Sequence, residues 1–104
     1  MAILRGTNDN FFSLMKEGIT LAYFSNPKTE ECKRTRENLE SVAKDVKKGI
    51  KIVEIDVNEE RKVVDKFPVD VFPTIILFKD GKILKSKIGA QPKSQLTQFI
   101  NPFN

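Results

Sequence analysis

The sequence predicts an α/β domain built on one mixed sheet with helices on both faces. Short apolar runs of strand length alternate with segments whose apolar residues recur every three or four positions, as expected of helix-linked strands. Asp80-Gly81 stands between the last two runs, a tight-hairpin signal that makes that pair antiparallel. No stretch has the composition of a linker, so residues 1–104 read as a single domain.

The elements follow in order. Residues 2–4 are a short apolar start, expected as an edge strand. Thr7 is a candidate helix cap, with Phe11, Phe12, Leu14 and Met15 at helical spacing behind it and Gly18 as a stop. Residues 19–24 (ITLAYF) are almost continuously apolar, which suits a strand covered on both faces. Residues 29–48 contain neither Gly nor Pro, and Cys32, Thr35, Leu39, Val42, Ala43 and Val46 fall on one stripe. That spacing predicts a long amphipathic helix, capped by Thr29, with Glu30 and Glu31 at the positive end of its dipole and Gly49 ending it. Residues 51–57 (KIVEIDV) mostly alternate, as a half-buried strand does. Asn58 is a candidate cap for a short helix reaching Phe67 and stopped by Pro68. Ile75 to Phe78 and Lys82 to Ile88 form the hairpin, and Pro92 to Ile100 closes the chain as an amphipathic helix. The order is β-α-β-α-β-α-β-β-α.

Composition removes several function classes. The formal charge is +4, from 18 basic and 14 acidic residues that are interspersed along the chain. Tyr23 is the only tyrosine, tryptophan is absent, and most of the eight Phe lie in apolar segments. No basic stripe is interleaved with aromatics, which argues against a nucleic-acid partner. The apolar runs are too short to span a bilayer, and no signal-peptide-length stretch follows Arg5, so no membrane partner and a cytoplasmic location are expected. With no histidine and Cys32 as the single cysteine, an intramolecular disulfide, a Cys/His zinc site and a Cys–His catalytic pair are all excluded. No metal or other cofactor is expected, and a monomer is.

The landmarks ITLAYF, the helix after it, IVEIDVNE, Phe72-Pro73-Thr74, the Phe78-Lys79-Asp80-Gly81 turn and Ile88-Gly89-Ala90 fall together at the spacing of one family. Over nearly the whole chain the sequence resembles the thioredoxins, which implies the thioredoxin fold. The resemblance also implies a cis peptide bond before Pro73 and a Phe72 backbone that faces an extended peptide substrate. The plainer alternative is a Pro73 that merely starts a strand, where its missing N–H does no harm; the Phe72-Pro73-Thr74 context favours the cis bond.

The resemblance breaks where the family does its chemistry. Aligned from Phe24, the family's Cys-x-x-Cys falls on Thr29-Glu30-Glu31-Cys32. Thr29 stands for the nucleophilic cysteine and Cys32 for the resolving one. Lys28 replaces the Trp before the motif, Tyr23 the buried acid of the preceding strand, and Glu37 the helix proline. Disulfide reduction needs attack by a thiolate and then release by a second thiol in the same site. A threonine hydroxyl without an activating base cannot supply the attack, so dithiol turnover is not expected.

Two residues at the motif keep several readings. Cys32 is either a lone reactive thiol, activated by the helix N-terminus and by Lys28 or Lys33, or a small core residue on the apolar stripe, with Glu30 and Glu31 opposing ionisation. Stripe phase favours the core residue. Thr29 is a helix cap, a hydroxyl for the thiolate of bound glutathione as in glutathione transferases, or a phosphorylation site. Glu54 and Asp56 share a strand face as the only carboxylate pair worth weighing, and a solvated face explains them as well.

The favoured function is therefore a protein-binding module holding a protein or peptide segment in the groove beside Pro73. Candidate contacts are Phe72, Pro73, Thr74, Pro27, Lys28, Glu30 and Glu31. The alternative is a monothiol redox protein of thiol–disulfide homeostasis, with Cys32 in mixed disulfides with glutathione or a partner's cysteine.

Overall fold

A strand apolar on both faces must be covered on both faces, and β2 (Ile19–Ser25) is the middle strand of a five-stranded sheet. The computed structural model describes residues 3–104. The expected first strand begins at Ala2, outside them. Within them β1 (Leu4–Gly6) is followed by α1 (Phe11–Leu14), β2, α2 (Glu30–Ala43), β3 (Lys51–Asp56), α3 (Arg61–Val64), β4 (Thr74–Lys79), β5 (Lys82–Ile88), α4 (Lys93–Ile100) and a 3₁₀ turn, Asn101–Phe103. The sheet order is β1-β3-β2-β4-β5. β3 pairs in parallel with both β1 and β2, while β4 is antiparallel to β2 and to β5. This is the mixed sheet with the element order expected, and it is the thioredoxin fold. Asp80 and Gly81 take φ of 50° and 82° in the hairpin, the left-handed conformations that a tight turn demands.

Alternation along β2 sends its side chains to two cores. Leu21 and Tyr23 join Leu39, Val42 and Ala43 of α2 and Leu96, Phe99 and Ile100 of α4. Ala22 and Phe24 join Phe11, Phe78, Val53, Ile55 and the valines of α3. Phe67 packs against that second core with its ring 5.8 Å from Phe11 and 5.3 Å from Phe78.

Several boundaries differ from expectation. The helix expected over 29–48 ends at Ala43. Asp45 N–H and Val46 N–H then bond to the carbonyls of Val42 and Ala43, three residues back, so the apolar stripe continues through tighter turns and still buries Val46. Gly49, at φ 104°, belongs to the loop that leads into β3 rather than to the helix end. Asn58 does not cap α3, which is confined to Arg61–Val64 behind Glu60. Its side chain donates instead to Asn26 Oδ1, and Asp56 holds the intervening turn through its carboxylate and its carbonyl. Thr7 Oγ1 accepts from the amides of Asp9 and Asn10, capping a turn that precedes α1 rather than the helix itself. Gly18 lies four residues past the end of α1, at φ 73°.

Candidate site at the end of the central strand

Antiparallel register pairs Phe24 with Thr74, and Thr74 with Ile88. The turn after β2, the Phe72-Pro73 segment and the Gly89 turn therefore meet at one end of the sheet. Gly89 N–H donates to the Pro73 carbonyl at 2.8 Å, and Gln91 N–H reaches Thr35 Oγ1 of α2 at 3.3 Å. The Phe72–Pro73 bond is cis. Pro73 and Thr74 are buried, the Thr74 hydroxyl donates to the Val71 carbonyl, and the half-buried Phe72 ring packs on the phenylalanine core. Among the described residues, neither the amide nor the carbonyl of Phe72 has a hydrogen-bond partner.

Across from that segment, Thr29 is the N-cap of α2, in extended conformation. Its hydroxyl donates to the Asn26 carbonyl at 3.0 Å and accepts from Cys32 N–H at 3.3 Å. Both of its hydrogen-bonding roles are engaged in the turn, which is what a capping residue does. Pro27, Lys28, Glu30 and Glu31 are exposed around it. Lys28 N–H donates to Asn26 Oδ1, tightening the same turn.

Cys32 is the opposite case. It is 1% exposed, on the buried stripe of α2, and its sulfur accepts from Asn26 N–H at 3.3 Å. Its carbonyl accepts the hydroxyl of Tyr23, which is itself fully buried. Burial, and after it the neighbouring Cys32 and Glu54, push the Tyr23 phenol far above its ordinary value. Tyr23 thus occupies the acid's position as a neutral donor that ties the strand to the first turn of the helix.

Glu54 and Asp56 are not a dyad on a solvated face. The Arg36 Nε–H donates to both oxygens of Glu54, at 2.9 and 3.0 Å, and that bonding holds the guanidinium above its usual value. Arg36 also pairs with Glu40. Asp56 Oδ1 accepts from Asn58 N–H at 2.9 Å. The alternation of β3 reads as half-solvated in sequence, but Arg36 of α2 reaches over that face to Glu54, while the half-buried Asp56 is held in its own turn.

The family model described as Thioredoxin matches residues 2–102. The chain belongs to the thioredoxin family. Its relatives include the thioredoxin of Bacillus subtilis, 34% identical over 101 residues that make up 97% of each chain. The thioredoxin of Staphylococcus saprophyticus is 35% identical over 96% of each chain, and that of Staphylococcus aureus strain Mu50 is 33% identical over 97% of each. Against that membership, a single cysteine in 104 residues is the conspicuous departure of this thioredoxin-family chain. Among the described residues, no helix is long and apolar enough to cross a membrane.

Proposed function

We propose that this thioredoxin-family chain binds an extended protein segment in the groove beside Pro73 and performs no dithiol–disulfide turnover. The observation that carries this is the state of Thr29: where the family has its attacking sulfur, a hydroxyl is consumed in capping α2. The groove retains what a peptide strand would use. Among the described residues the amide and carbonyl of Phe72 are unpaired beside the cis proline, and Lys28, Glu30 and Glu31 are exposed at the turn and helix start that follow β2. A single-domain organisation, a monomeric state and a cytoplasmic setting belong to the same proposal.

Two observations weigh against the monothiol alternative. Cys32 is buried, which opposes mixed-disulfide formation with glutathione or a partner's cysteine. The proton of Thr29 is already donated to a carbonyl and is not free for a bound thiolate.

The test is Thr29→Cys. Prereduced protein, freed of small thiols, is mixed with one equivalent of a protein disulfide, and the reduced product is counted. The native chain is expected to reduce none and the variant a substantial fraction of an equivalent. Reduction by the native chain would overturn the absence of turnover. Failure of the variant would overturn the claim that the groove still seats a peptide.

A further inference from the structure

The side of the β2 end that faces away from Phe72-Pro73 has a second concavity. A cavity of about 400 Å³ lies between α2 and the sheet at β1 and β3. Its floor follows from register. Parallel pairing sets Arg5 beside Glu54 and Glu54 beside Tyr23, and one step further sets Asp56 beside Ser25. Period-two alternation turns all of these toward α2, because Leu21, Tyr23 and Ile52 already face it. Cys32, Lys33 and Arg36 of α2 form the opposite wall.

One atom there is unexplained by folding. Ser25 is 1% exposed and lines the cavity, yet its Oγ has no hydrogen-bond partner among the described residues. Buried hydroxyls are ordinarily bonded, because leaving one unpaired costs more than the bond itself contributes. A donor of this kind at the base of a ligand-sized cavity suits an acceptor that arrives from outside.

The charges around it select the sign. Arg36 is shared between Glu54 and Glu40, which lies outside the cavity lining. Arg5 and Lys33 form no ion pair among the described residues, whereas Asp56 has one oxygen held by Asn58 N–H. The lining carries three cations, Arg5, Lys33 and Arg36, against two acids, Glu54 and Asp56. A guanidinium and an ammonium in one lining with an unpartnered hydroxyl fit a carboxylate, and Ile3, Leu4 and Pro27 complete that lining with apolar surface. We propose that this cavity binds a small carboxylate with a short apolar body, its oxygens on Ser25 Oγ, Arg5 and Lys33. The site shares Pro27 with the candidate groove contacts but does not rest on peptide binding, and it would stand if the groove were shown to bind nothing.

Butyrate, n-butylammonium and inorganic phosphate are the probes, titrated into the ¹⁵N-labelled full chain and followed by amide shifts. Butyrate is expected to give saturable shifts in the millimolar range at Arg5, Ser25, Cys32 and Lys33, with butylammonium and phosphate giving none there. Ser25→Ala and Arg5→Gln are each expected to weaken butyrate about five-fold, the loss of about one hydrogen bond, while Lys87→Gln on β5 leaves it unchanged. Absence of saturable shifts would mean that the cavity holds water only and would overturn the proposal. So would equal shifts from butylammonium, equal binding of phosphate, or unaltered affinity in both Ser25→Ala and Arg5→Gln. Both substitutions are mild, and the dispersion of the remaining amide signals reports directly that each variant is folded.

Discussion

The two faces of the sheet are built to different rules. On the α1/α3 face, Phe11, Phe24, Phe67 and Phe78 meet edge to face with ring centroids 5.3 to 6.3 Å apart, and the buried Thr20 and Thr74 that share this face donate their hydroxyls to the carbonyls of Leu14 and Val71. On the α2 face the core is equally apolar at the β5-to-α4 end. Toward the end of β2, however, it gives way to Tyr23, Ser25, Cys32, Arg36 and Glu54. The first face holds the sheet together by contact area. The second keeps a polar cluster in place, although the cysteine that gives the family its chemistry is gone.

If that division is right, the largest loss comes from the phenylalanine face. Phe11 is fully buried and touches four other rings. Phe11→Ala is expected to destabilise by about 3–5 kcal/mol, measured by urea unfolding, more than any single change in the polar cluster. A cost below about 1.5 kcal/mol would show that the aromatic face is loosely packed and that the contrast fails.

Tyr23 sharpens the comparison from the other side. Tyr23→Phe removes one buried hydrogen bond to the Cys32 carbonyl, at an expected cost of about 1–1.5 kcal/mol. The same group links stability to pH. Its phenol is neutral and raised in the folded chain, whereas unfolding returns it to the ordinary value of 10.0. Its contribution is therefore complete below pH 10 and lost as pH rises beyond it, at up to about 1.4 kcal/mol per pH unit. The slope belongs to the difference between native and Tyr23→Phe unfolding curves. Because Tyr23 is the only tyrosine, phenolate absorbance reports its protonation without interference. Native phenolate appearing near pH 10 would show that the hydroxyl is not sealed in.

Thr29→Ala comes next, at about 1 kcal/mol for the lost cap, with Thr29→Ser restoring most of it. Full stability in Thr29→Ala would mean that the hydroxyl serves something other than the helix.

Much of this was legible in the sequence because it depends on local periodicity. The strand β2, the stripe Cys32–Thr35–Leu39–Val42, the hairpin at Asp80-Gly81 and the cap at Thr29 are all properties of neighbours in the chain. Where expectation and structure part, partners distant in sequence decide. Asn58 is drawn to Asn26, 32 residues away, and so does not cap α3. Glu54 and Asp56 alternate with Val53, Ile55 and Val57, which tells the two faces of β3 apart but not that Arg36 of α2 reaches Glu54 on the acidic one. The cavity beneath α2 was invisible for the same reason. Its floor is set by parallel register, which puts Arg5 beside Glu54 and Asp56 beside Ser25 from three separate strands.

The smallest effect is the most discriminating. Removing a buried, bonded hydroxyl costs stability, whereas removing an unpartnered one relieves a desolvation penalty. Ser25 Oγ has no partner among the described residues, so Ser25→Ala is expected to change stability by no more than about 0.5 kcal/mol, or to raise it slightly. That distinguishes a serine kept for folding from one kept for a ligand: the first loses stability on substitution, the second loses only binding. A loss of 1 kcal/mol or more would mean, by the same magnitudes, that the hydroxyl is bonded within the folded chain, to water or to protein, and the α2 face would then be as self-satisfied as the phenylalanine face opposite.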